Sequence, residues 1–354
     1  MKKTVFTLTA LLLTGFCFAQ NSGNIQSKFD FIPGEKIIFY DDFTSESIGD
    51  FPVQWNTNGS GEIVTLENID GRWFQMTKQG YFIPECKESF TDNFTVEFDV
   101  LIMSDVDAQI PYVFDIYFLS GDLANPGYGS QPGQAGLKIQ PSYETLAWNN
   151  WSEAREWLGD EGLVDFPFKV MQKYHMSFWV QKQRVRMYIN DQKVLDLPKG
   201  LQANYAYNIF RIDDNSDETT PFISNIRIAA GLPDMRNKLM TEGRLVSYGI
   251  YFDVNSDKLK PESTPSIKEI ATVMKDNPDI KVKIIGHTDS DGADDSNLDL
   301  SKRRAESVKK ELIATYGIES GRLETEGKGE SQPMAPNDSG MNKAKNRRVE
   351  FVKL

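Results

Sequence analysis

The chain is poor in cysteine and histidine, with two of each in 354 residues. Cys17 lies in an apolar leader, so Cys86 is left without an intramolecular partner and no disulfide is expected in the fold. Its default role is that of a buried, inert thiol. Beyond residue 19, no stretch approaches the ~18 apolar residues that a membrane-spanning helix needs. We therefore expect no transmembrane segment in the mature chain.

Positive charge is scarce relative to negative charge, and the formal net charge is −12. The acidic excess lies before Leu245, because from Leu245 onward 18 Lys and Arg residues nearly balance 19 Asp and Glu residues. An acidic surface repels phosphate backbones and anionic lipid headgroups. The composition therefore argues against nucleic acid as a partner.

Residues 1–19 have the pattern of a secretory signal peptide. Two lysines precede the apolar run Val5–Phe18, which is too short for a spanning helix. Cleavage would leave a mature chain that begins at Gln20. A lipoprotein modified at Cys17 is the alternative, although Phe16 stands where a small residue is needed. Either reading predicts an exported protein.

Residues 36–230, which follow an N-terminal extension at residues 20–35, are predicted to be an all-β domain. About ten short alternating or aromatic-rich runs recur between clusters of Gly, Asn and Asp, and this spacing is typical of a β-sandwich. Segments 121–136 and 148–162 are expected to be loops or an insertion, and the second could hold a short helix. The predicted strands are Ile37–Phe39, Glu62–Leu66, Trp73–Thr77, Phe94–Ile102, Tyr112–Leu119, Tyr174–Gln181, Arg184–Ile189, Lys193–Leu197, Asn208–Arg211 and Phe222–Ala229.

Three short motifs in this region resemble the concanavalin-like and laminin-G-like jelly rolls. They are Asp42-Phe43 followed by Trp55, the strand Phe94–Val100, and the hairpin segment Val185–Asn190. The resemblance implies a jelly-roll fold and hardly any specific activity. A domain of this kind would recruit a protein or glycan partner that the sequence does not name. Three tryptophans could stack on sugar rings or could anchor the core and loops: Trp148, Trp151 and Trp157.

A glycan hydrolase is the competing class. Retaining hydrolases that resemble laminarinase place two glutamates and an aspartate at alternate positions of one strand, so that all three point into the cleft. Glu97 and Asp99 begin such a pattern, but Ile102 stands where the second glutamate is needed. We therefore predict no enzymatic activity, with a wall-tethered glycan-binding or glycan-hydrolysing protein as the alternative.

One acidic loop of the predicted sandwich is a weak calcium candidate. Asp213, Asp214, Asp217 and Glu218 lie close together in the chain, and oxygen ligands of this kind suit calcium. Clusters of this type are more often simply solvated. No other cofactor is predicted.

The C-terminal third carries the most specific motif. After a connector at residues 231–244, residues 245–354 alternate strand and helix, which predicts an α/β unit of βαβαβ type with a mixed sheet. Within it, Asp289 follows a strand and Arg304 lies in the first turns of the next helix. A carboxylate and a guanidinium at this offset suit a zwitterionic ligand that carries both an ammonium and a carboxylate.

The spacing around this pair resembles the signature of the OmpA-like C-terminal domain family. Thr288-Asp289 is followed after ten residues by Leu300-Ser301, after two by Arg304-Ala305, after two by Val308 and after three by Leu312. Flanking segments Ile250–Ser256 and Asn346–Val349 match in order.

The resemblance implies non-covalent binding of peptidoglycan through the diaminopimelate of the stem peptide. Asp289 would take the ammonium of the ligand and Arg304 its carboxylate. The protein would then lie in the periplasm of a Gram-negative bacterium, bound to the wall and associated with the outer membrane. The remaining binding residues implied by the resemblance are Thr288, Asn297, Phe252, Asp253 and Arg348.

Structural alternatives exist for several of these residues. Asp289 and Arg304 could pair with each other as a salt bridge. Asn297 could cap a helix or face the ligand. Ser301 is read as a capping or supporting hydroxyl rather than a nucleophile, because nothing places His175 or His287 beside it as a base.

Overall fold

The computed structural model describes residues 29–104, 114–127, 131–216, 219–232 and 234–354. The predicted signal peptide with Cys17, and Asp217 and Glu218 of the acidic loop, lie outside the described residues. The described part before residue 231 consists mainly of strands: β1 (Lys36–Asp41), β2 (Trp55–Thr57), β3 (Ser60–Leu66), β4 (Ile69–Lys78), β5 (Gly80–Pro84), β6 (Asn93–Ser104), β7 (Asp115–Ser120), β8 (Ala135–Pro141), β9 (Thr145–Ser152), β10 (Glu161–Asp165), β11 (Tyr174–Gln181), β12 (Arg184–Ile189), β13 (Gln192–Leu197), β14 (Ile209–Asp214) and β15 (Thr219–Ala230).

These strands form two antiparallel sheets, which confirms the prediction of an all-β N-terminal region. The first sheet has the order β13-β12-β11-β6-β15-β4-β3, and β1 pairs with the C-terminal half of β15. The second has the order β10-β9-β8-β7-β14-β5-β2. Some neighbouring strands are joined by short hairpins, and others are distant in sequence. The register of each pair is specified because a slip by one residue would turn the buried side chains to the other face of the sheet.

The two sheets enclose one apolar core. Alternate residues of a strand point to opposite faces, and the inward residues of β6 and β11 meet those of β7 and β14. Phe98 lies 5.8 Å from Phe210 between ring centroids, and Phe118 lies 5.3 Å from Phe178. Each such ring is almost fully buried, and burial of one Phe side chain stabilises a fold by about 1.5–3 kcal/mol.

The described residues of the segment 121–136 are irregular up to the start of β8 at Ala135, as predicted, but the prediction of a loop at residues 148–162 was wrong. The second segment is the hairpin of β9 and β10, with one 3₁₀ turn at Glu153–Arg155. The alternation of polar and apolar residues is lost there because the outer face of the second sheet is apolar too. Leu119 of β7 and Trp151 of β9 are buried in one cluster on that face. Apolar residues on both faces remove the period-two signal.

The C-terminal region is an α/β unit with a separate core. Its elements are α1 (Met235–Asn237) with a following π-helical turn (Lys238–Glu242), β16 (Arg244–Ser247), α2 (Thr264–Asp276), β17 (Val282–His287), α3 (Asp294–Ala314), β18 (Leu323–Gly329), α4 (Gly340–Asn346) and β19 (Val349–Lys353). Strands β17 and β18 are parallel, and the other pairs of the sheet β16-β19-β17-β18 are antiparallel, as predicted for a mixed sheet. Met235 and Leu239 of the connector are buried in this core. In the described part of the chain, no helix is both long enough and apolar enough to span a bilayer.

Tyr251 joins the two units. Its hydroxyl donates to Glu97 Oε2 at 2.8 Å and accepts from Arg227 Nη2 at 2.6 Å. Arg227 also donates to Glu97 Oε1 at 2.6 Å and to the Tyr248 carbonyl at 3.1 Å. Glu97 and Arg227 lie on the outer face of the first sheet and are buried. The C-terminal unit therefore covers this polar face.

His175 extends the polar cluster. Its Nδ1 is 2.8 Å from Asp99 Oδ1, and its Nε2 is 3.4 Å from Glu97 Oε2. Burial alone would lower the pKa of His175, but the two carboxylates outweigh burial and raise it to about 9. Lys173 Nζ completes the cluster at 2.7 Å from Asp99. His175 is thus protonated at neutral pH and neutralises part of a buried acidic pair.

We expect His175 to make stability fall as the pH rises above neutral. Its folded-state pKa of about 9 exceeds the ordinary value of 6.5, so its contribution is complete below about pH 6.5 and is lost as the pH rises through about 9. The shift corresponds to roughly 3 kcal/mol. Urea unfolding of the wild type and of His175→Gln at several pH values measures this. The stability difference between the two proteins should shrink with rising pH, and a constant difference would contradict the assignment.

Candidate functional site

The candidate site lies where α3 packs closely against strands β17 and β18. A Cβ at Gly286 of β17 would lie 2.1 Å from the Ser301 carbonyl, and one at Gly327 of β18 would lie 2.5 Å from the Lys302 nitrogen. Ser301 Oγ accepts from the Gly329 N–H at 2.9 Å and donates to the Leu298 carbonyl at 2.8 Å. The serine is therefore a structural hydroxyl between helix and sheet, not a helix cap.

Arg304, on the third turn of α3, is held without an acidic partner. Its Nε donates to the Ser256 carbonyl at 2.9 Å, and its guanidinium carbon lies 4.9 Å from the centroid of the Phe252 ring. Burial lowers the pKa of Arg304 to about 10, so the group stays charged at neutral pH. Among the described residues no carboxylate forms an ion pair with it. Its two Nη groups are therefore available to an anion.

Asp289, in the loop between β17 and α3, is paired with a different arginine. Arg347 Nη1 donates to Asp289 Oδ2 at 2.6 Å, and the Asp291 N–H donates to Oδ1 at 3.1 Å. Asp289 and Arg304 influence each other electrostatically but form no ion pair with each other. The alternative of a structural Asp289–Arg304 salt bridge is therefore wrong.

Arg347 lies in the candidate site but is not among the site residues that the sequence predicts. It belongs to the family segment Asn346–Val349, in which the resemblance implies Arg348. The structure does not bring Arg348 to Asp289, because neighbouring residues entering β19 point in opposite directions. Arg348 is buried and donates to Glu350 Oε1 at 2.7 Å and to the carbonyls of Asn346 and Gln332. Arg348 is thus engaged within the protein, and a ligand contact of this residue stays a prediction.

Asn297 positions the loop that carries Asp289. Its Nδ2 donates to the Asp291 carbonyl at 3.1 Å, to the Asp289 carbonyl at 3.3 Å and to Glu330 Oε2 at 2.6 Å. It does not cap α3, whose N-cap residue is Ala293. Because the amide N–H groups are engaged, a ligand contact of Asn297 would have to use Oδ1, and that contact stays a prediction.

Thr288 and Asp253 complete the predicted set. Thr288 is buried, its N–H donates to the Gly329 carbonyl at 3.0 Å, and its hydroxyl has no hydrogen-bond partner in the described part of the chain. Asp253 is about half exposed and lies 3.7 Å from Lys258 Nζ. The structure thus brings Thr288, Asp289, Phe252 and Arg304 toward one loop cluster, with Asp253 at the edge.

The remaining sandwich candidates are engaged elsewhere. Glu97 and Asp99 belong to the buried cluster beneath Tyr251. Trp151 is fully buried, Trp148 packs on the core, and Trp157 is 41 % exposed. The Trp151 ring is therefore closed to a sugar, and exposure leaves Trp157 as the candidate for stacking.

The acidic loop is partly neutralised by arginine. The Asp213 carboxylate accepts hydrogen bonds from Nε and Nη2 of Arg211. The same guanidinium also lies against the rings of Tyr81 and Tyr117. Asp214 Oδ1 accepts from the Ser216 N–H at 3.3 Å. No group of three or more metal-ligating side chains is arranged for a cation within the described ranges. The calcium candidate stays an untested prediction, because Asp217 lies outside them.

Comparison with known proteins identifies the C-terminal unit. The model of the OmpA family matches residues 251–347. Outer membrane porin F of Pseudomonas aeruginosa is 38% identical over 138 residues, which are 39% of this chain and 38% of that protein. The probable lipoprotein YiaD of Escherichia coli is 43% identical over 103 residues, which are 29% of this chain and 47% of that protein. The chain therefore spans less than half the length of these curated relatives.

A solved structure of the peptidoglycan-associated lipoprotein from Burkholderia pseudomallei is also similar. Its sequence identity is 28%, the match covers 31% of this chain and 88% of that one, and the TM-score is 0.28. Residues 251–347, which match the family model, contain the strand-loop-helix segment with Asp289 and Arg304. Residues 251–347 are an OmpA family domain.

Proposed function

We propose that the OmpA family domain anchors the protein to peptidoglycan by binding a zwitterionic group, the diaminopimelate of the stem peptide. The observation that carries this proposal is Arg304, a partly buried guanidinium that has no anionic partner among the described residues. Burying a charge without a partner is costly. A ligand carboxylate would supply the missing anion and could accept two parallel N–H bonds from the Nη edge.

The ammonium of the same ligand would bind Asp289. That carboxylate is 7% exposed, so an ammonium that reaches it is largely desolvated and the ion pair is strengthened. The unpartnered hydroxyl of Thr288 lies next to Asp289 in the chain and would supply a further hydrogen bond. A simple anion would satisfy Arg304 alone, whereas a zwitterion satisfies both groups.

The β-sandwich would present a second binding function at the wall. We propose that it is a concanavalin-like jelly roll that recruits a protein or glycan, and that the protein lies in the periplasm near the outer membrane of a Gram-negative bacterium. Hydrolysis by Glu97 and Asp99 is disfavoured, because both carboxylates are saturated by Arg227, His175 and Lys173.

Wall binding should depend on both members of the pair. We expect the purified chain to co-sediment with diaminopimelate-type peptidoglycan and much less with lysine-type peptidoglycan, whose side chain lacks the extra carboxylate. Removal of one partner of a desolvated charge pair costs about 2–5 kcal/mol, so Asp289→Ala and Arg304→Ala should nearly abolish retention. Lys302→Ala, an exposed cation on the same helix, is the control and should behave as wild type. Equal sedimentation with both walls, or full retention of both variants, would contradict the proposal.

The shape of the cation should matter as well as its charge. Arg304→Lys keeps the charge but loses the planar fork, the Nε bond to Ser256 and the stacking on Phe252. We therefore expect the affinity for a soluble diaminopimelate-containing muropeptide to fall about tenfold or more, corresponding to ~1.4 kcal/mol. Isothermal titration calorimetry measures the change. Wild-type affinity in Arg304→Lys would mean that Arg304 supplies only a positive field.

A further inference from the structure

The candidate site continues onto the β-sandwich through Arg347. One end of this guanidinium binds Asp289, and the other, Nη2, donates to Asp42 Oδ2 at 3.2 Å. Its carbon lies 5.1 Å from the centroid of the Tyr40 ring. Tyr40 and Asp42 belong to the end of β1 and the turn after it, so two carboxylates from different domains share one arginine.

Asp42 is fixed in place independently of Arg347. Its Oδ1 accepts from the Thr44 N–H at 3.1 Å and from the Thr44 hydroxyl at 2.6 Å, and its Oδ2 accepts from the Tyr40 hydroxyl at 3.2 Å. Only 13% of the Asp42 side chain is exposed. Three donors other than Arg347 hold this carboxylate, so Asp42 is a fixed acceptor to which Arg347 is drawn.

The domain contact around Tyr251 keeps this geometry. The Tyr251 hydroxyl is bonded to Glu97 and Arg227 of the sandwich, and the next residue, Phe252, lies under Arg304. On the other side, Lys238 Nζ lies 2.7 Å from Glu35 Oε2. Several buried or half-buried contacts of this type favour one relative orientation of the units, in which Asp42 stays beside Arg347.

We propose that Asp42 is a positioning residue for the wall ligand: it holds Arg347 so that Asp289 can accept the ligand's ammonium. This inference rests on the proposed function. When the ammonium reaches Asp289, two cations share that carboxylate, and they repel each other. Asp42 restores an alternating order of charges, namely ammonium, Asp289, Arg347, Asp42. The sandwich thereby raises the affinity of a site that lies in the other domain.

The electrostatic size of the effect is sufficient. The relevant interaction is the repulsion between the ligand's ammonium and the Arg347 guanidinium. At a separation of about 5 Å and an effective dielectric constant of about 20, two unit charges interact strongly enough to change a binding constant by more than tenfold. Burial alone would lower the pKa of Arg347, yet Tyr40, Asp42 and Asp289 together raise it. The arginine is therefore a permanent cation that must be placed, and it cannot leave the site by losing its proton.

The test is a double-mutant cycle on the full chain, with a soluble diaminopimelate-containing muropeptide as the probe and calorimetry as the readout. Asp42→Asn keeps the two Thr44 bonds through its carbonyl oxygen, reverses the bond to the Tyr40 hydroxyl and removes the charge that Arg347 binds, and its affinity should fall about tenfold. In an Arg347→Ala background the same change should alter affinity less than twofold, because the group that Asp42 positions is gone. Asp42→Glu should stay within about threefold of wild type, since it restores the charge.

A matched control separates this role from the general acidity of the sandwich. Asp50→Asn removes one exposed negative charge from the same region of the chain and should bind as wild type. Wild-type affinity in Asp42→Asn, or an equal loss in both Arg347 backgrounds, would overturn the inference while Arg304→Ala still abolishes binding. Failure of the wild type to bind the muropeptide would overturn the proposed function together with it.

Discussion

The hydroxyl of Tyr251 is the contact on which the arrangement of the two domains depends. It donates to Glu97 and accepts from Arg227, so it satisfies a buried ion pair that would otherwise face water on the outer side of the sheet. Buried charges are tolerated when every donor and acceptor has a partner. Because Phe252 follows directly and lies against Arg304, the same segment ties domain docking to the candidate site.

Two arginines of the C-terminal unit differ in the charges around them, and this difference assigns their roles. Arg304 contacts a carbonyl and an aromatic face, no carboxylate of the described residues pairs with it, and burial lowers its pKa to about 10. Arg347 has two carboxylates and an aromatic face, and its pKa is raised. A partly buried guanidinium without an anion is stabilised when an anionic ligand binds to it. A guanidinium that already has two anions instead holds the neighbouring carboxylate in position. Residue type alone does not distinguish them.

The sequence predicted the parts of the site that depend on local spacing. Asp289 and Arg304 lie on one strand-loop-helix segment, so their offset is readable from the motif. Arg347 was missed because its second partner, Asp42, is 305 residues away, and no periodicity reports such a contact. The motif implies Arg348 in its place because spacing positions a segment but does not tell which of two neighbouring side chains turns toward Asp289. The hairpin of β9 and β10 was missed because apolar residues occupy both faces.

The docking of the domains also limits what the sandwich can do. Glu97 and Asp99 on alternate positions of β6 begin the pattern that a hydrolase needs, since this spacing places both side chains on one face. That face is covered by Tyr251, and the two carboxylates are bonded to cations that lower the pKa of each. A general acid needs the opposite shift, toward a raised pKa. The alternation that suggested catalysis therefore places both carboxylates in the contact between the two units.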